Sequence, residues 1–223
     1  MYVEISPRQT GKTTRLLENA IHYITSFRIL RQRFPIVALV GRNSIDALAL
    51  KGKLEVMYSV HSQSWPPFSP LRSVNSYMDN VVAGFGYQDI MDKVKHLGYG
   101  FGAEPDVWFV DEFPLIQKEI LFPNGMEPME GYYCGTPNTT QGRFRIRTGS
   151  LYYLADYCQE NDIEIKFHNN WTESRLQEEG ISAEYMREAI LGDWYDFMEY
   201  YGFEVNTLKE VWISKTLKRH KLC

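Results

Sequence analysis

Cysteine is scarce in this sequence: Cys134, Cys158 and Cys223 are the 3 present in 223 residues, far apart and in no paired spacing such as Cys-x-x-Cys. That excludes a disulfide-stapled miniprotein and a cysteine-based zinc site, and the thiols are expected to be reduced, inside a cell. Long apolar runs are missing as well. None approaches the roughly 18 residues of a membrane span, and the opening MYVEISPRQ has no basic start followed by an apolar stretch, so neither a membrane segment nor a secretory signal is expected. An excess of positive charge is the third absence: the formal net charge is -4, so there is no global electrostatic footprint of a nucleic-acid binder. Contact with DNA would have to come from local patches. Two are present, RFRIR with Arg143, Arg145 and Arg147 at alternate positions, and a basic tail from Lys215 to Lys221. Internal repeats and low-complexity tracts are absent too.

What remains is an ordinary globular composition, 44% hydrophobic and 23% charged, with aromatics at 14%. The length suits one α/β domain with a full core and leaves no room for a motor of two large lobes. Tyr2 to Ile5 reads as a short buried strand. Lys12 to Arg33 has apolar residues at 16, 17, 20, 21, 24, 27 and 30, the spacing of a long amphipathic helix ending before Pro35. IVALV, Ile36 to Val40, is the continuous apolar run of a parallel strand covered on both faces. The pattern from Ser44 to His61 is helical, Ser64 to Pro70 is a proline-rich connection, and Gln88 to Leu97 is helix-like within glycine-rich crossover and loops. DVWFVDEF, Asp106 to Phe113, and GYYCGT, Gly131 to Thr136, are two further strands. A helix at Ser150 to Glu160, a strand at Ile163 to Asn169 and an acidic helical stretch from Ser182 to Tyr201 complete the reading. Strand–helix alternation of this kind predicts an α/β fold with a mainly parallel central sheet and helices on both faces.

Three motifs carry chemistry. The first is ISPRQTGKTTRLL, Ile5 to Leu17, between a predicted strand and a predicted helix. A phosphate-binding loop works because backbone N–H groups at a helix N-terminus surround the phosphates, a lysine reaches the terminal ones and a hydroxyl meets Mg²⁺. Gly11, Lys12 and Thr13 keep that second half; Ser6 stands where the loop's first glycine is usual, and Ser6, Pro7, Gln9, Thr10 and Thr14 complete the candidate phosphate-binding set. Arg8 lies inside the loop, where a guanidinium can offset transition-state charge. The second motif is FVDEF: Asp111 is the candidate Mg²⁺ carboxylate, acting partly through water, and Glu112 the candidate base for an attacking water, a pairing that argues for hydrolysis. The third is YYCGTPN, where a strand ending at Gly135, Thr136, Pro137 and Asn138 offers groups that could sense a phosphate and couple hydrolysis to movement.

Together these motifs resemble the ATPase domain of the terminase large subunit, the motor that packs DNA into tailed-phage and herpesvirus capsids. PRQTGKTT resembles that family's phosphate loop, FVDEF its acidic strand, GTPN its coupling motif, and the Arg42 of VGRN the arginine that follows its second strand. More weakly, the stretch from Asn169 to Val205 resembles the region after the family's core, where a tryptophan precedes helices. The resemblance implies a P-loop NTPase fold of the ASCE/RecA-like kind and ATP and Mg²⁺ as ligands, with Lys12 and Thr13 on phosphate and metal, Arg8 sensing the γ-phosphate, Asp111 on the metal and Glu112 catalytic. It further implies a coupling role for residues 135 to 138 and translocation of double-stranded DNA, gripped by its phosphates, into a procapsid. The partners implied are a portal, a homo-oligomeric ring (a pentamer in the family, with a monomer in isolation) and a separate nuclease or small subunit. The place of action implied is the host cytoplasm.

Residues 1–148 are expected to form the ATPase core and 149–223 its C-terminal part with the basic tail. The roughly 70 to 80 residues after the coupling motif are too few for a two-metal nuclease domain; Asp156, Asp162 and Glu164 are accordingly expected to be surface charge. With five residues ahead of Ser6, base-binding contacts are expected from the C-terminal part, unless the phosphates alone hold the nucleotide. A ring also needs an arginine in trans, for which Arg143, Arg145, Arg147 and Arg72 are candidates, the first three alternatively touching DNA. The alternative functions are another nucleic-acid-dependent ATPase of helicase or recombinase type, and an assembly module that binds nucleotide without turnover.

Overall fold

The computed structural model describes residues 1–31, 33–64, 77–98, 103–122, 127–137, 150–201 and 211–216. In chain order the elements are β1 (Tyr2–Ile5), α1 (Lys12–Arg31), β2 (Val37–Val40), α2 (Ser44–Gln63), β3 (Val81–Gly84), α3 (Tyr87–His96), β4 (Val107–Asp111), α4 (Lys118–Leu121), β5 (Gly131–Gly135), α5 (Ser150–Glu160), β6 (Glu164–Asn169), α6 (Glu173–Glu179), α7 (Ala183–Tyr185), α8 (Gly192–Tyr200) and β7 (Val211–Thr216). The hydrogen-bonded strand order is β3-β2-β4-β5-β1-β6-β7. Strands β1 to β6 form a parallel sheet with helices around it, and β7 adds to β6 antiparallel, Glu164 opposite Thr216 and Asn169 opposite Val211. The α/β class and the parallel sheet follow the sequence expectation.

By backbone proximity the chain divides into two units, one of residues Met1–Lys12, Glu112–Lys118 and Cys134–Cys223, the other of Thr13–Asp111 and Glu119–Tyr133. In the second unit, β2 pairs with β3 on one side and β4 on the other, both in parallel register. All four of its residues are buried, as a strand with neighbours on both edges and helices over its faces requires. Leu16, Leu17, Ala20, Ile21 and Ile24 of α1 are buried, whereas Leu30 is exposed, so the apolar stripe stops before the helix does. The helix itself ends at Arg31, two residues short of the expected end. Just beyond it Arg33 grips Asp106 through two bonds, Nη1 to Oδ2 at 3.0 Å and Nη2 to Oδ1 at 2.7 Å. Asp106 Oδ2 also accepts the Ile36 amide at 2.8 Å. One carboxylate thus fixes the entries of β2 and β4.

The first unit is built on aromatic residues. Trp171 and Trp194 are fully buried, and Trp171, Leu176, Met186 and Leu191 form one apolar cluster against which Ile181 and Tyr195 pack. The acidic stretch after Ser182 is not one helix. A π-turn at Met186–Ile190 separates α7 from α8, closed by the Leu191 amide on the Met186 carbonyl at 2.8 Å. Cys134 and Cys158 are buried and in no disulfide, and burial pushes the Cys158 thiol up to about 12, so it stays protonated. Asp156, Asp162 and Glu164 are exposed, as expected of surface charge. The proline-rich connection and the Arg72 within it lie outside the described residues. No described helix is long and apolar enough to cross a membrane.

Gly135 closes β5 against the 3-10 turn Phe113–Leu115, where a Cβ would sit 2.1 Å from Pro114 Cδ and 2.6 Å from Pro114 Cγ. Both atoms belong to a rigid ring. Gly135→Ala is therefore expected to cost about 1–3 kcal/mol through forced backbone movement, and an unchanged melting temperature in that variant would show that the turn yields freely.

Candidate functional site

The loop from Ser6 to Gly11 joins β1 to α1 and is shaped by two left-handed residues, Gln9 at φ 59° and Gly11 at φ 78°. Glycine at 11 meets that demand without steric cost; Gln9 does not and is held in place from outside, as described below. Ser6 is fully buried, its hydroxyl donating to the equally buried Glu4 carboxylate at 2.8 Å and its amide to the Gly135 carbonyl at 3.1 Å. The serine in the first glycine's place thus satisfies the buried Glu4 of β1, while its backbone amide, which any residue but proline would supply, makes the link to β5. The Thr10 hydroxyl closes the loop on the Pro7 carbonyl at 3.0 Å. Helix α1 has no acid of its own in its first turn, the end where the helix dipole favours negative charge.

Two clusters follow from consecutive residues. In one unit Thr13 Oγ1 donates to Asp111, 2.9 Å to Oδ2 and 3.2 Å to Oδ1. In the other, the buried Lys12 Nζ lies 2.8 Å from Glu112 Oε1, and Glu112 Oε2 accepts the Thr136 amide at 3.3 Å. In a continuing strand residues 111 and 112 would point to opposite faces. Instead Glu112 adopts φ 51° and ψ 39° as the chain leaves β4, a left-handed conformation that costs a side-chain-bearing residue about 1 kcal/mol or more. That turn aims its carboxylate at Lys12 and the end of β5. Thr136 is buried, and its hydroxyl has no hydrogen-bond partner among the described residues. A polar atom buried without a partner is costly, so this hydroxyl at the end of β5 has hydrogen-bonding capacity to spare.

Arg8, Gln9, Gly11 and Thr14 are exposed; Pro7, Thr10, Lys12, Thr136 and Pro137 are buried. Arg42 pairs with Asp46 at 2.7 Å one helical turn away on the surface. Asn138, Arg143, Arg145 and Arg147 lie outside the described residues, as does the tail beyond Thr216. Lys215 and Thr216, read from sequence as part of that tail, are strand residues of β7. Among the described residues no three His, Cys, Asp or Glu side chains cluster in a way that could hold a metal. The Thr13–Asp111 pair offers a hydroxyl and one carboxylate, oxygen donors of the kind Mg²⁺ accepts when water and phosphate supply the remaining ligands.

Sequence reading missed how the loop is held. Trp171 Nε1 donates to the Arg8 carbonyl at 2.9 Å and Arg175 Nη2 to the Gln9 carbonyl at 3.3 Å. The bond goes to the backbone of Arg8, whose side chain is exposed. Trp194 Nε1 reaches the Ile5 carbonyl at 3.2 Å. A tryptophan followed four residues later by arginine is the only local signal of this support. Comparison with protein-family models, with curated proteins and with solved structures finds no match to this chain.

Proposed function

We propose that this chain is a P-loop ATPase of the ASCE/RecA-like kind that translocates double-stranded DNA into a viral procapsid, the role of a terminase large subunit's ATPase domain. The observation that carries the reading is the Lys12–Glu112–Thr136 cluster: a lysine opening the helix after a strand and loop, a carboxylate turned toward it by a left-handed residue, and a buried hydroxyl and amide at the end of β5. The donor set fits Mg²⁺ and a nucleoside triphosphate. Bound Mg²⁺ would neutralise phosphate charge and orient the terminal phosphoryl group.

Within that reading, Thr13 and Asp111 would hold the metal, Asp111 partly through water, and the loop amides with Lys12 would bind the phosphates. Lys12 exchanges Glu112 for phosphate when the triphosphate enters. Glu112, released on one oxygen and still held by the Thr136 amide on the other, takes the proton of the attacking water. Thr136 Oγ1 senses the phosphate or the water, and the strand it terminates passes the change on. Arg8, exposed on the loop, stabilises the transferring charge.

Phosphate release measured with and without duplex DNA tests this. Turnover is expected to rise with DNA of any sequence, and the stimulation to fall steeply with salt, because contacts to the backbone dominate. Nucleotide binding with no release in either condition would instead indicate an assembly module, and strand displacement on a tailed duplex a helicase.

A further inference from the structure

Strand β1 lies between β5 and β6 in the sheet order. On the β5 side of the loop stand Glu112 and Thr136, where the reading above places the reacting end of a triphosphate. The base, at the opposite end of the nucleotide, then lies toward the β6 side. There the chain leaving β6 carries Asn170, Trp171 and Arg175.

Arg175 is held as a fixed plane. Its Nε donates to Glu179 Oε1 at 2.8 Å, Nη1 to Asn170 Oδ1 at 2.6 Å and Nη2 to the Gln9 carbonyl at 3.3 Å. These bonds lie along its edges and leave its two faces. One face covers the indole of Trp171, with the guanidinium carbon 3.6 Å from the ring centroid. Trp171 is itself immobilised, fully buried, its backbone amide on Asn169 Oδ1 at 3.0 Å and its Nε1 on the Arg8 carbonyl. The Arg175 side chain nevertheless keeps 26% of its surface accessible. A flat delocalised cation, weakly hydrated and pre-ordered beside the phosphate loop, is well suited to stack on an aromatic base.

We propose that the outer face of Arg175 is the stacking platform for the base of the bound nucleoside triphosphate. This rests on the reading of the loop as a phosphate site. The platform grips a face that every base has, so it contributes affinity for nucleoside over bare polyphosphate. Trp171 acts as its backing.

The test is calorimetric binding of ATP and of inorganic tripolyphosphate, each with Mg²⁺, to the full chain and to Arg175→Ala and Arg175→Lys. ATP is expected to bind the wild type more tightly than tripolyphosphate. Both variants are expected to lose about tenfold in ATP affinity, in the range stacking supplies, with tripolyphosphate affinity unchanged. Lysine should fail to rescue because it keeps the charge and loses the plane. Equal losses for both ligands would assign Arg175 to loop support alone and overturn the platform, as would wild-type ATP affinity in either variant. A wild-type chain that binds neither ligand would overturn the phosphate-site reading itself.

Discussion

Glu112→Gln is expected to lower ATP turnover by about a hundred- to ten-thousand-fold, the usual worth of a positioned general base, while ATP binding persists. Glutamine keeps the length and the carbonyl oxygen that accepts the Thr136 amide, so the turn after β4 and its contact to β5 survive. What disappears is the oxygen able to take a proton and the ionic attraction to Lys12, 2.8 Å away. Loss of that attraction frees Lys12 for phosphate, so binding measured by calorimetry should hold steady or tighten as phosphate release collapses. Undiminished release from the variant would strip Glu112 of the role. Weakened binding with normal release would place it among the phosphate-binding groups instead.

Trp194→Ala is expected to be severely destabilising. The indole is fully buried on α8, as are Phe197 and Met198, and its Nε1 donates to the carbonyl of Ile5, the last residue of β1. Truncation opens a large cavity and removes a donor from a buried carbonyl at once, for a loss of about 3–5 kcal/mol. The urea midpoint should drop by roughly 1 M or more with little change in slope, given typical slopes of 1–3 kcal/mol per molar. Trp194→Phe separates the two contributions, since it keeps most of the apolar volume and forfeits the hydrogen bond. A midpoint for Trp194→Ala within error of wild type would mean that α8 does not support β1. A loss shared equally by the two variants would put the whole effect on the hydrogen bond.

The parts of the fold that were readable share one property, that their cause is local. A short β-prone run, a glycine, a lysine and then a 3.6-residue apolar period suffice for β1, the loop and α1, because each residue's preference is expressed within a few positions of itself. The same holds for β2, whose unbroken apolar run already says that both faces are covered. β3 escaped because four residues, Val81–Gly84, sit in a glycine-rich region where no period can develop. β7 escaped because its last two residues, Lys215 and Thr216, read as the start of a solvated basic tail and the run before them shows no strand boundary of its own, and its pairing is with the distant β6.

At the candidate site the division is similar. From its own residue types the sequence determined an α/β class, a loop that leads from β1 into Lys12 and Thr13 at the start of α1, and the acids Asp111 and Glu112 where a buried strand ends. Only the tertiary structure decided that Ser6 is an anchor to Glu4, that Glu112 leaves its strand in a left-handed turn to meet Lys12, and that Trp171 and Arg175 hold the backbone of Arg8 and Gln9 across separations of 163 and 166 residues. The physical reason is range. Backbone propensity and amphipathic period act between neighbours in sequence and can be read from it, whereas a hydrogen bond from an indole or a guanidinium to a distant carbonyl exists only once the sheet order has brought the two together.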